Sequence, residues 1–228
     1  MLADIRLPGK AAASVKFAIS DGSCSPGQPR LDRNEPMIAV YRYLFPTLWL
    51  AWLLYWWISA AGTKTTVRRE SLPSRLSYIA PLGAAVWLLA APRMPAALAR
   101  LNEGFVPRTA VTFWLGAAIT MVGLLFTIWA RVHLGRNWSG TVTIKQGHEL
   151  VTSGPYSLVR HPIYTGLLLA FIGSAIGLGE WRGIVGIVIA AASFWIKLRI
   201  EENWLQQEFG ETYAAYRQRV RALVPYIL

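Results

Sequence analysis

Between Val111 and Ala130 the chain runs for 20 residues without a charged side chain, and the run closes on Arg131 and His133. A helix of that length covers the hydrocarbon thickness of a bilayer. Four further apolar runs accompany it. Ile38 to Ala61 carries Trp49, Trp52, Trp56 and Trp57 and has no charge after Arg42. Leu76 to Ala91 is shorter and is expected to run on past Pro92 with a kink. Ile163 to Leu178 and Ile184 to Ile196 are separated by a tight reversal at Gly179 to Gly183, so they form an antiparallel pair. The expected fold is an all-α integral membrane protein of about five transmembrane helices.

The totals agree with this reading. The chain is 54% hydrophobic and 15% charged with a mean hydropathy of +0.36, too apolar for an ordinary soluble domain. Its 11 tryptophans suit the boundary between hydrocarbon and water. The net charge of +11 does not point to nucleic acid, because the basic residues flank the apolar runs; anionic headgroups are the better partner. Cys24 is the only cysteine, which excludes an internal disulfide and a cysteine-based zinc site. The histidines, His133, His148 and His161, are too few and too scattered for a metal centre, so none is expected. Three stretches follow: a flexible tail over residues 1–36, the first three spans over 37–133, and a core over 134–228 in which a polar connection, two spans and a C-terminal amphipathic helix come together.

Within that core, Ser153 to Leu169 reads S-G-P-Y-S-L-V-R-H-P-I-Y-T-G-L-L-L. Pro162 has no amide hydrogen and biases His161 away from helical dihedrals, so a helix starts at or just after Pro162. A helix start offers unpaired amides and partial positive charge, and with Arg160 and His161 it could hold an anionic or strongly polar ligand. The plain alternative is an interfacial anchor. The connection upstream, with β-branched residues at Gly140 to Ile144 and His148 to Thr152 around Gln146-Gly147, is expected to form a hairpin. After the fifth run comes K-L-R-I-E-E-N-W. Lys197 and Glu201 are four apart and share a helix face. Leu205, Phe209, Tyr213, Tyr216 and Val220 then form an apolar stripe broken at Gly210, with Arg217, Arg219 and Arg221 on its polar side. Trp138 and Trp204 read as interfacial anchors, and Arg131 and Arg136 as headgroup contacts. Gly173 and Gly177 would let neighbouring helices approach closely.

The stretch H-E-L-V-T-S-G-P-Y-S-L-V-R-H-P-I-Y-T-G, followed after a helical hairpin by E-E-N-W-L-Q-Q-E-F-G-E-T-Y-A-A-Y-R-Q-R-V and a terminal V-P-Y-I, resembles the isoprenylcysteine carboxyl methyltransferases and their phospholipid methyltransferase relatives. The resemblance runs from about Leu134 to the C-terminus. It implies a membrane enzyme that takes S-adenosylmethionine from the cytosol and a lipophilic acceptor from the bilayer. It places His148, Glu149, Leu150, Val151, Tyr156, His161, Pro162, Ile163, Tyr164 and Glu201 around the methyl donor; Arg160 joins them from the helix start described above, and Lys197, Arg199 and Glu202 are the candidate catalytic residues, with Arg199 on a different helix face from Lys197. Lys197 stands where relatives that methylate prenylated cysteine place an arginine, and a lysine does not reproduce the two-pronged grip of that group. The glutamine that relatives carry before the His148 position has Gln146 as its nearest match.

The residues support such a donor pocket on their own chemistry. A sulfonium and an ammonium call for a carboxylate such as Glu201, a carboxylate calls for a basic group or helix start, and adenosine calls for aromatic walls such as Tyr156 and Tyr164. A prenylcysteine-like carboxylate is the foremost acceptor, which needs no general base; a phospholipid amine or a small thiol would need one, with His161 or Glu202 available. The rival class is a nicotinamide-dependent membrane reductase of the sterol reductase type, for which the chain looks too short. Basic residues in the connections that share a side with the C-terminus outnumber those on the other side, so the site is expected to face the cytosol from a plasma, inner or endoplasmic reticulum membrane.

Overall fold

The structure is a computed structural model that describes residues 35–61, 65–145 and 149–225. The expectations for the tail before Glu35, for Gln146 and for His148 lie outside the described residues. Among the described residues there are five long helices: α1 (Glu35–Ser59), α2 (Leu72–Ala90), α3 (Ala110–Leu134), α4 (Pro162–Leu178) and α5 (Trp181–Arg219). By length and composition, the segment Ala110–Asn137 and α5 suffice to cross a membrane, and α4 is a shorter apolar helix. The outer surfaces are apolar. Leu53, Trp57, Val86, Val111, Val122, Leu125 and Val188 are all exposed on helices, a distribution that suits lipid and not water.

Local chemistry sets the helix ends. Ser71 caps α2 by accepting the Ser74 amide, with proline in the first turn, so this helix begins earlier than its apolar run. It stops at Ala90 and does not continue past Pro92, because Ala91 is extended at φ −61°, ψ 138°. Thr109 and Thr112 form a reciprocal capping box for α3. The reversal after α4 is shorter than expected: Gly179 takes the left-handed conformation at φ 69° and α5 begins two residues later, at Trp181. At 39 residues, α5 is roughly 58 Å long, about twice a bilayer's hydrocarbon core, so its C-terminal half stands outside the hydrocarbon. Gly210, at φ 52°, redirects that half and folds the stripe of Tyr213 and Tyr216 back over the bundle.

Helices α3 and α4 meet backbone to backbone. A Cβ on Gly116 would lie 2.6 Å from the Gly173 carbonyl oxygen, and one on Gly123 would lie 2.5 Å from the Ala170 amide nitrogen. Without a hydrophobic drive between helices in lipid, such close packing and interhelical hydrogen bonds are what hold a bundle together. The bonds are present: Trp52 Nε1 donates to Thr127 Oγ1 at 2.6 Å, Trp49 Nε1 to Ser174 Oγ at 3.0 Å, and Ser193 Oγ to the Tyr78 carbonyl at 2.6 Å. Helix α1 thereby lies against α3 and α4, and α2 against α5. At the end away from the C-terminus, Glu180 receives Arg108 and Arg182, and Arg182 also donates to the carbonyls of Leu88 and Ala91, closing the last turn of α2.

The expected hairpin within the polar connection is replaced by a longer-range ribbon. Strand β2 (Thr143–Lys145) pairs antiparallel with β1 (Thr66–Arg69), in the connection between α1 and α2. Glu70 explains the choice. It is buried, receives the Tyr78 hydroxyl, Ser74 Oγ (2.9 Å) and the Val142 amide (3.1 Å), and so ties the ribbon to the first turns of α2.

Replacing Gly123 or Gly173 with valine forces two helix backbones apart, so each variant is expected to lose at least ten degrees of melting temperature in detergent or to aggregate in size-exclusion chromatography. A Cβ on Gly83 would meet nothing within 4 Å, and Gly83→Ala is expected to melt within about two degrees of the parent.

Candidate active site

The connections at the C-terminal end of the bundle converge on one centre. His161 is the N-cap of α4 with φ −123° and ψ 62°, and Pro162 occupies the first turn, as the sequence requires. Its ring nitrogens face two neighbouring carboxylates: Nδ1 lies 3.5 Å from Glu201 Oε2, and Nε2 lies 3.3 Å from Glu202 Oε1. The ring stacks on Tyr164 (5.5 Å, 7°), and Tyr164 stacks on Phe194 (5.2 Å, 10°). Tyr164 donates its hydroxyl to Glu201 Oε1 at 2.6 Å. Arg160 donates Nε and Nη2 to Glu202 Oε1 at 2.8 and 2.6 Å, and its remaining nitrogen reaches the carbonyls of Val220 and Arg217.

The C-terminal segment is stitched to the same turn. Arg160 and His161 donate their amides to the carbonyls of Arg221 (2.8 Å) and Ala222 (3.0 Å), Thr165 Oγ1 donates to Leu223 (2.7 Å), and the Tyr216 hydroxyl donates to the Tyr156 carbonyl (2.6 Å). The residues after Gly210 therefore roof the centre as a strap.

A cavity of about 280 Å³ opens beneath this roof. Of the donor-site expectations, Glu149, Leu150, Val151, Tyr156, Arg160, His161, Pro162, Ile163, Tyr164 and Glu201 all line it. Lys197 lines it too; its ammonium donates to the Gly140 carbonyl at 2.9 Å and lies over the rings of Tyr78 (5.2 Å) and Tyr164 (5.4 Å). Two expectations need correction. Glu202 is absent from the cavity wall and serves as the buried counter-ion of Arg160 behind His161. Arg199 points elsewhere, with Trp195 under its guanidinium at 5.9 Å, because it lies two residues from Lys197 and hence on another face of α5.

Several lining residues escaped the sequence reading. Trp138 and Trp204 sit on the cavity wall and are not simple anchors, and Trp52, Trp56, Tyr78, Leu82, Ser193 and Phe194 complete its apolar side. Trp52 and Trp56 stack at 4.6 Å, and Trp138 meets Trp56 edge-on at 5.5 Å. Arg131 is likewise no headgroup contact: it is buried, donates to the carbonyls of Ser59 and Gly135, and lies 4.5 Å over the Trp138 ring. It therefore positions the aromatic wall by joining the ends of α1 and α3.

Burial alone would lower the pKa of His161, but hydrogen bonding and charge from Glu201 and Glu202 outweigh it, and the net shift is upward. A raised folded-state pKa contributes stability that is full below the unfolded value of about 6.5 and is lost as pH rises through the folded value. The melting temperature of the parent relative to His161→Gln is therefore expected to be highest near pH 6 and to decline at alkaline pH. A difference flat from pH 6 to 9 in differential scanning fluorimetry would remove the imidazolium from the cluster.

With this geometry in place, comparison with known proteins gives the chain its relatives. The phospholipid methyltransferase family model matches residues 111–212, which hold α3, α4 and most of α5. The protein-S-isoprenylcysteine O-methyltransferase B of Arabidopsis thaliana is 29% identical over 129 residues, covering 54% of this chain and 66% of that protein. A probable protein-S-isoprenylcysteine O-methyltransferase of Oryza sativa subsp. indica is 30% identical over 139 residues, covering 58% of this chain and 73% of that protein. Among solved structures, the eukaryotic intramembrane Ras methyltransferase, an isoprenylcysteine carboxyl methyltransferase, matches with a TM-score of 0.48 and 24% identity over 71% of this chain and 55% of its own. By its 30% identity across 73% of the rice protein, the chain belongs to the isoprenylcysteine O-methyltransferase family.

Proposed function

We propose that the chain is an S-adenosylmethionine-dependent methyltransferase of five membrane spans that esterifies the carboxylate of a prenylcysteine-like lipophilic acceptor. One observation carries the reading: a single cavity is lined both by a polar cluster of Glu201, His161, Tyr164 and Lys197 and by the aromatic and aliphatic side chains of Trp52, Trp56, Leu82 and Phe194. A soluble small-molecule site has no need of the second lining, and a purely lipid site has no need of the first.

The residues fit the donor. Glu201 presents a carboxylate on the cavity wall, fixed in place by Tyr164 and His161, which suits the donor's positive groups. The start of α4, with the amides that any first helical turn leaves unpaired, suits its carboxylate, and Tyr156 and Trp204 offer faces for adenosine. When bound, this group supplies an electrophilic methyl on a sulfonium. The chain's own part is to hold, align and dehydrate. Lys197 is placed to receive the acceptor carboxylate as a point charge, kept over Tyr78 and Tyr164 by the Gly140 carbonyl. The Tyr216 strap excludes water from a reaction in which opposite charges combine. A carboxylate acceptor requires no proton removal, and Glu202, engaged by Arg160 and His161, is not free to act as a base. This favours carboxyl transfer over amine or thiol transfer. Helices α1 and α2, which contribute Trp52 and Ile79 on facing sides, would admit the acceptor tail from lipid.

The connections at this end hold Arg68, Arg69, Arg136, Lys145 and Arg160, followed by Arg217, Arg219 and Arg221, against Arg93, Arg100 and Arg108 in the connection at the other; Arg42 and Arg182 also lie towards that other end, and the sequence before α1 carries Arg6, Lys10, Lys16, Arg30 and Arg33. The margin among the connections is modest and supports a site that faces the cytosol.

In calorimetric titration of the detergent-solubilised protein, Glu201→Ala is expected to weaken S-adenosylmethionine binding by at least tenfold while leaving the melting temperature near the parent's; unchanged affinity would remove Glu201 from the donor site. Lys197→Met is expected to raise the KM for a farnesylcysteine acceptor at least tenfold and to leave donor affinity within twofold, with Lys197→Arg restoring turnover. Labelled methyl groups appearing in thiols or lipid amines and not in base-labile esters would overturn the carboxyl reading.

A further inference from the structure

A second cavity of about 200 Å³ lies behind the active-site turn, on the side of α5 opposite Lys197. Arg199, Arg217 and Arg221 line it together with Trp195, and the Arg160–Glu202 pair forms its inner wall. The one carboxylate present is already taken: Glu202 Oε1 receives Arg160 at 2.8 and 2.6 Å and faces His161 Nε2 at 3.3 Å, while Oε2 lies 3.8 Å from Arg217. Among the described residues, Arg199 and Arg221 have no carboxylate partner within 4 Å. The strap is what gathers them, since the backbone bonds from Arg160 and His161 to Arg221 and Ala222 bring the tail's arginines alongside the one on α5. The cleft thus holds an excess of positive charge, lies where α5 leaves its apolar run, and is bordered by Trp195, an exposed indole of the kind that settles at headgroup depth.

We propose that this cleft binds the phosphate of an anionic phospholipid headgroup, such as phosphatidylglycerol, as a site separate from the substrate cavity. Arginine donors in a fork geometry match phosphate oxygens. Lipid is favoured over free phosphate because the exposed Trp195 on this wall and the exposed Val188, seven residues before it on the same face of α5, lead back along the helix towards the hydrocarbon and give an acyl chain somewhere to lie. The site rests on the membrane-spanning reading and not on methyl transfer, so it stands or falls independently of the donor and acceptor assignments.

The full chain in a mild detergent is titrated with dioctanoyl phosphatidylglycerol, dioctanoyl phosphatidylcholine or inorganic phosphate, with binding followed by native mass spectrometry and by the shift in melting temperature. Saturable binding of phosphatidylglycerol at least tenfold tighter than that of the other two is expected. It should weaken at least tenfold in Arg199→Gln/Arg221→Gln and stay within twofold in Arg93→Gln/Arg100→Gln, which removes charge at the opposite end. Comparable affinity for phosphatidylcholine, or an unaffected Arg199→Gln/Arg221→Gln variant, overturns the site. Inorganic phosphate binding as tightly as the lipid overturns the lipid and assigns the cleft to a free anion. If the double variant does not fold, Arg199→Lys and Arg221→Lys singly, which keep the charge and remove the fork, are expected to weaken binding by about threefold to tenfold each, and no change in either overturns the proposal.

Discussion

Glu202 is the carboxylate on which the C-terminal half of the molecule depends. It is almost fully buried, it receives Arg160 through two nitrogens and it faces His161 on its other side. Burying such a charge is costly, and removing one partner of a buried pair costs about 3–5 kcal/mol because the other is left stranded. The sequence separation makes the pair structurally useful. Arg160 and His161 precede α4, Glu202 lies well along α5, and the carbonyls of Arg217 and Val220 take the rest of the Arg160 fork. A single cluster therefore fixes the start of one helix, the polar part of another and the strap beyond it. The residues around the cavity come from separate elements and connections, and this pair helps to align them.

From that anchor, the two acidic neighbours divide labour by helix geometry. Successive residues on a helix are turned by about 100°, so two adjacent carboxylates cannot face the same way. Glu202 turns into the protein and is consumed by cations, whereas Glu201 turns onto the cavity wall and keeps its Oε1 against Tyr164 alone. The same turn separates Lys197, which reaches the cavity, from Arg199, which reaches the basic cleft. One amphiphilic stretch of α5 thus serves a dry site on one side and a charged surface on the other. Which member of each pair faces which side is invisible in the letters E-E or K-L-R, because it depends on the phase at which α5 docks against α2 and α4.

How much was legible follows from how local each determinant is. Helices α3 and α4 were readable to within a few residues, since apolar runs bounded by arginine, proline and glycine carry their own ends. The His161-Pro162 turn was readable because proline dictates the dihedrals on both sides of it. The ribbon was not: β1 and β2 have four and three residues, too few to show a period, and their register is set by Glu70 reaching Val142, 72 residues away. Arg131 and Trp138 were misjudged for a related reason. An arginine after an apolar run ordinarily meets headgroups, and only the return of α1 at Ser59 supplies the carbonyl that lets this one be buried.

On the proposed reading Lys197 is where the donor and acceptor halves of the cavity meet, and its surroundings account for a lysine at this place. A guanidinium grips a carboxylate with two parallel bonds but is planar and needs both edges clear. Here the ammonium is framed by the Tyr78 and Tyr164 rings and by the Gly140 carbonyl, a three-sided pocket that suits a compact cation with rotatable donors. Each of those neighbours is itself held: Tyr78 by Glu70, Tyr164 by Glu201, and Gly140 by the loop that Glu70 ties down through Val142. A point charge positioned by its surroundings can orient an acceptor without a bidentate bond, because the orientation is built into the walls. On that reading, specificity lies less in the cation than in two carboxylates, the buried Glu70 and the part-exposed Glu201, that set the angle of the rings around it.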